Sequence, residues 1–99
     1  MGKYYIGMDA GGTGTTVLVS DGRKDLFLTK TEGLNCNSFP PERIAKSLRE
    51  AADNLLENGY IPADCAGIGI GAAGNNNPAA SALLRDCLRG CGFRCPVTI

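Results

Sequence analysis

The stretch that most limits how this chain can fold is Met8-Asp9-Ala10-Gly11-Gly12-Thr13-Gly14-Thr15-Thr16. A carboxylate ends one apolar run, Tyr4-Tyr5-Ile6-Gly7-Met8, and the glycine and threonine loop leads directly into another, Val17-Leu18-Val19. Two such runs around a turn-forming segment read as a hairpin, with strands at about Lys3 to Asp9 and Thr15 to Ser20. Lacking Cβ atoms, glycines at 11, 12 and 14 let the backbone take positive φ and gather its N–H groups into a concavity suited to phosphate oxygens. Thr13, Thr15 and Thr16 add hydroxyl donors, whereas ionised Asp9 only accepts and would repel a bare phosphate. Asp9 therefore points to Mg²⁺, held through water. A hairpin with no ligand would need only roughly two to five loop residues and a single glycine.

Two other phosphate loops fail on these residues. Gly7 and Gly12 have the spacing that opens a Walker loop, but Thr13 stands where that motif needs Lys. The Rossmann fingerprint fails at Val17, where its third glycine belongs, and the loop runs into a strand rather than a helix.

A chain of 99 residues forms one domain with a modest core. Its 10 basic and 10 acidic residues cancel, which gives nucleic acid or an anionic membrane no electrostatic hold. Without His, any general base must be a carboxylate. No apolar run reaches the roughly 20 residues of a membrane span and no secretion signal opens the chain, so a cytoplasmic location is expected. The five cysteines, Cys36, Cys65, Cys87, Cys91 and Cys95, are an odd number that matches no zinc spacing. They read as reduced, small apolar residues.

Further along, Asp21-Gly22 is a hairpin signal before a third strand at Leu26 to Thr29. The stretch from Glu32 to Pro40 is aperiodic and rich in turn formers, so it is a loop. From Pro41, residues Ile44, Leu48, Ala51, Ala52, Leu55 and Leu56 make a helical apolar stripe that Gly59 ends. The uncharged run Cys65 to Gly74 reads as a central strand buried on both faces, its small residues admitting helices closely. Asn77 and Pro78 then suit the N-cap and N1 of a second helix that ends near Gly90 or Gly92. Pro96 to Ile99 starts another strand, and the chain looks cut there. The order β-β-β-α-β-α-β implies an α/β fold, a mixed five-stranded sheet with helices packed on it.

This order, with Asp-x-Gly-Gly-Thr-Gly-Thr at the first turn, resembles the N-terminal ribonuclease H-like half of the actin, hexokinase and heat-shock chaperone superfamily. Within it, Ile6 to Thr15 is most similar to the BadF/BadG/BcrA/BcrD ATPase family, which includes N-acetylglucosamine kinases. The resemblance spans residues 1–99 as an N-terminal domain, is specific only at the first turn, and implies that a C-terminal domain is absent. By position it implies ATP phosphate contacts from Gly11, Gly12, Thr13, Gly14 and Thr15, with Asp9 supporting Mg²⁺. Gly33-Leu34-Asn35-Cys36-Asn37-Ser38-Phe39 resembles the Gly-Leu-x-x-Asn-x-aromatic segment of those kinases, which gives Asn37 the sugar-contacting position. Turn chemistry alone explains Asn35 and Asn37 equally well.

One departure bears on chemistry. After the fourth strand the sugar kinases carry Gly-Gly-Asp with Asp as general base, where this chain reads Ala73-Gly74-Asn75. An amide cannot take the proton of an attacking hydroxyl, so Asn75 is left as a substrate contact and the chain contains no identified base. The partners implied are a nucleotide and an amino sugar or other small phosphate acceptor; a homodimer is left open. Two other roles fit the resemblance: the activator ATPase of a 2-hydroxyacyl-CoA dehydratase, or a non-catalytic member that binds sugar or nucleotide. The fragment alone is expected to be inactive.

Overall fold

The computed structural model describes residues 2–11, 13–33, 40–72 and 78–99. Strands β1 (Tyr4–Ala10), β2 (Thr15–Ser20) and β3 (Asp25–Thr31) form an antiparallel meander. Helix α1 (Pro41–Glu57) leads to β4 (Cys65–Ala72), and α2 (Pro78–Gly90) leads to β5 (Val97–Thr98). The sheet order is β3-β2-β1-β4-β5, with β4 parallel to both β1 and β5. This is the mixed five-stranded α/β sheet that the sequence implies.

Alternation decides which way the meander faces. Tyr4, Ile6, Met8 and Ala10 of β1 are buried, as are Thr15, Val17 and Val19 of β2, while Tyr5, Gly7 and Asp9 are exposed. The β2–β3 turn holds itself together: Asp21 Oδ1 accepts from the N–H groups of Arg23 (2.8 Å) and Lys24 (2.9 Å), and Gly22 takes φ 92°. Those two amide donors hold the Asp21 carboxyl below its ordinary range.

Both helices end in the same way. After α1, Tyr60 N donates to Leu55 O (2.9 Å) and Gly59 N to Leu56 O (3.0 Å), with Gly59 at φ 89°. After α2, Phe93 N donates to Leu88 O (3.1 Å) and Gly92 N to Arg89 O (3.0 Å), with Gly92 at φ 101°. These are Schellman caps, and a glycine is needed because its position is left-handed. The start of α2 is Pro78, as the sequence implies, while its expected cap Asn77 lies outside the described residues. On α1 the buried stripe is Ile44, Ser47, Leu48, Ala51, Ala52 and Leu55. Leu56, expected on that stripe, is instead exposed, because Ser47 rather than Leu56 continues the face that meets the sheet.

A single core joins this helical face to the inner side of the sheet, including Ile6, Met8, Val17, Ile68, Ile70, Leu84 and Phe93. The two helices touch one another, so they lie on one side. The crossovers from β3 to β4 and from β4 to β5 run in the same direction along the sheet; with a common hand, both helices must fall on the same face. This corrects the expectation for β4: Ile68 and Ile70 are buried, but Gly69 and Gly71 are exposed on the side without helices. Among the described residues no helix is long and apolar enough to cross a membrane.

Candidate functional site

The first turn is closed by Gly11 N donating to Gly14 O at 2.9 Å. A Cβ on Gly11 would lie 3.1 Å from that same carbonyl, whereas one on Gly14 would meet Thr31 O at an ordinary 3.7 Å. Neither glycine has the expected positive φ, which among the described residues belongs to Gly22, Gly59 and Gly92. Glycine is favoured at 11 by close backbone approach rather than by handedness. The Gly11 amide is spent within the turn, so Gly11 shapes the tip instead of offering a donor. Gly12 lies outside the described residues, and Thr13 is exposed at the tip.

Pairing across the hairpin sorts the polar residues onto two faces. Asp9 is paired with Thr16, and Ala10 with Thr15. Asp9 and Thr16 stand on the open face, where with Gly7, Leu18, Leu28 and Gly69 they line a cavity of about 320 Å³. Thr15 is on the helical face, 1% exposed, and its Oγ1 has no hydrogen-bond partner among the described residues. The two side chains expected to share a phosphate site thus approach the turn from opposite sides, because successive side chains of a strand alternate. A buried hydroxyl without a partner costs free energy unless a ligand or another group satisfies it. From opposite sides of the hairpin end, the orphaned Thr15 hydroxyl offers a donor and the exposed Asp9 carboxylate an acceptor suited to a hard cation, the residue types that a phosphate with its cation needs.

Register also brings the ends of four strands to one edge of the sheet. Ala72, Ala10, Thr15 and Thr31 form a row across β4, β1, β2 and β3. Three segments leave the sheet from that row: residues 11–14, those after Glu32 and those after Ala72. Asn37 and Asn75 belong to the second and third of these segments and lie outside the described residues. In open sheets with parallel strands, ligands sit outside the carboxyl ends of the strands, which is this edge. One neighbour was not evident from motif spacing. Lys30 is paired with Thr16, so Gly71, Asp9, Thr16 and Lys30 share one row, and exposed Lys30 is the cation nearest in register. Only the β2–β3 alignment places it there.

A sequence relative and two solved structures resemble the chain. Over 93 residues it is 30% identical to the N-acetylmuramic acid/N-acetylglucosamine kinase of Clostridium acetobutylicum, an alignment covering 92% of this chain and 30% of that protein. Its fold is similar to a crystal structure described as a candidate N-acetylglucosamine kinase from Chromobacterium violaceum, with TM-score 0.72 and 18% identity over 98% of this chain and 34% of that one. Thermus thermophilus RuvC is similar at TM-score 0.53 and 12% identity, over 95% of this chain and 61% of that one. At these identities the structural likenesses speak for the fold alone. The chain spans less than a third of the length of the curated relative, 30%. No protein-family model matches it.

Proposed function

Starting from a BadF-like, actin/hexokinase-type ATPase N-terminal domain, which the sequence relative and the fold both support, we propose that this chain is the phosphate-holding half of an ATP-dependent sugar kinase. N-acetylglucosamine or a related amino sugar is the acceptor. The observation that carries the reading is the buried, unpartnered Thr15 hydroxyl beside a turn in which a Cβ at Gly11 would press on the Gly14 carbonyl.

Each residue then has a role its chemistry permits. Gly11 and Gly14 keep the turn narrow enough for backbone to approach a phosphate, while Thr13 and Thr15 donate hydroxyls to its oxygens. Asp9, at the carboxyl end of β1, would hold Mg²⁺ through water. When bound, the ion neutralises charge on the transferring phosphoryl group. Asn37 and Asn75 would contact the sugar, since an amide both donates to and accepts from hydroxyls. Neither can act as base, so the proton acceptor for a sugar hydroxyl comes from another part of the parent protein. The parent's second domain would also complete the nucleotide cleft, which leaves residues 1–99 alone without turnover.

Isothermal titration of the parent protein with ATP and Mg²⁺ tests this. Asp9→Asn is expected to weaken binding about tenfold or more and to cut phosphotransfer, the loss of roughly one charged contact. Phosphotransfer undiminished in that variant would overturn the role of Asp9. Asn75 favours one second reading, a binder of sugar or nucleotide without turnover. N-acetylglucosamine would then raise the melting temperature of the parent with no ADP formed.

A further inference from the structure

At the end of the sheet opposite the loops, two thiols meet. Cys65 begins β4 and Cys95 stands two residues before β5. The parallel pairing of Ile68 with Val97, with Ile68 N donating to Pro96 O at 3.0 Å, draws the two entry points together. Cys95 Sγ lies 3.6 Å from Cys65 Sγ, and both side chains are buried, at 8% and 7% exposure. The backbone around Cys95 is held in place: Arg89 Nη1 donates to both Phe93 O and Cys95 O, each at 3.2 Å. Cys87 and Cys91, half-buried, are in α2 and just past its end.

We propose that Cys65 and Cys95 are a disulfide site, a pre-positioned thiol pair that closes into an intrachain bond when the protein meets a low-molecular-weight disulfide such as glutathione disulfide. One protein thiolate attacks the oxidant's S–S bond, forming a mixed disulfide and releasing one glutathione thiolate. The second protein thiol, losing its proton, attacks the mixed disulfide at the protein sulfur and expels the other glutathione. Two protein thiols are oxidised, one glutathione disulfide is reduced to two thiols, and the two protons pass to the leaving thiolates. From 3.6 Å the sulfurs need to approach by only about 1.5 Å to reach bonding distance, a change within reach of side-chain rotation. Burial pushes the Cys65 thiol up to about 12, which disfavours its thiolate as the attacking group. The bond would enclose all of β4 and α2, restricting the unfolded chain and raising the melting temperature without reaching the first turn.

Peptide mapping after oxidation tests this directly. The protein is incubated with excess glutathione disulfide, quenched with acid, unfolded, alkylated with N-ethylmaleimide and digested with trypsin without reductant. Cleavage separates the thiols, leaving Cys36 in Thr31 to Arg43, Cys65 in Glu50 to Arg85, Cys87 in Asp86 to Arg89, Cys91 in Gly90 to Arg94 and Cys95 in the peptide that begins with it. The expected product joins the Cys65 and Cys95 peptides at two hydrogens less than their summed mass. Oxidation is also expected to raise the melting temperature by about 5 °C or more, and Cys95→Ser to abolish both effects. Recovery of both peptides as maleimide adducts or glutathione adducts, or a link between Cys87 and Cys91 instead, would overturn the proposal.

Discussion

Thr15 carries a buried hydroxyl that no described residue satisfies, one strand position beyond a turn closed by Gly11 and Gly14. Its neighbours along the inner face, Val17 and Val19, are apolar and fully buried, so the position is one where valine would pack equally well. Thr15→Val is therefore expected to raise stability by about 1 kcal/mol, since it removes an unsatisfied polar group at constant shape. The same variant of the parent should bind ATP several-fold more weakly. Urea unfolding and isothermal titration check the two halves. A loss of stability would mean that the hydroxyl already has a partner. The glycines on either side of the tip differ in kind. A Cβ on Gly11 would press on a backbone carbonyl at 3.1 Å, whereas one on Gly14 would make an ordinary contact at 3.7 Å.

At the scale of elements, α1 starts without a side-chain cap, because Pro40 occupies the N-cap position. Its first turns are tied instead to the end of the meander. Arg43 Nε donates to Glu32 Oε1 at 2.8 Å, and Ser47 Oγ donates to Glu32 Oε2 at 3.3 Å. The Arg43 guanidinium beside it holds the Glu32 carboxyl below its ordinary value of 4.5. Because the folded-state value is the lower one, the contribution of this tie is complete above the unfolded value. It is lost as the pH falls from about 4.5 through the folded value. Glu32→Gln should thus lower the melting temperature at pH 7, while the gap between variant and wild type narrows as the pH falls below 4.5. Thermal melts across that range measure it; a gap that stays constant with pH would remove the charge from the account. Because Arg43 and Glu32 are both exposed, the effect is a small one.

The molecule as a whole is built on one side. Both crossovers advance in the same direction from the meander edge, so α1 and α2 cover one face of the sheet and leave Tyr5, Leu26 and Leu28 exposed on the other. The two faces should respond differently to the same chemical change. Leu84→Ala, at 0% exposure in α2, is expected to cost about 3 kcal/mol through lost burial and a cavity. Leu28→Ala, at 56% exposure, is expected to stay within about 0.5 kcal/mol. Denaturant unfolding of both variants measures the difference, and similar losses would mean that the second face is also packed.

Most of the elements were legible in the chain because the signals are local. Alternation from Tyr4 to Ala10, the stripe from Ile44 to Leu55, and Gly59 and Gly92 behind the helices depend on neighbours a few residues away. The position of the first turn belongs to the same class, since Asp9, Gly11 and Gly14 lie close together in sequence. What only the tertiary structure decided depends on register and handedness. It placed Asp9 with Thr16 and Lys30 on one face and Thr15 on the other, and it opened the glycine side of β4. It also set Cys65 against Cys95 across a separation of 30 residues. Composition cannot signal such pairings, because a shift of one residue along a strand exchanges its faces without changing a single local preference.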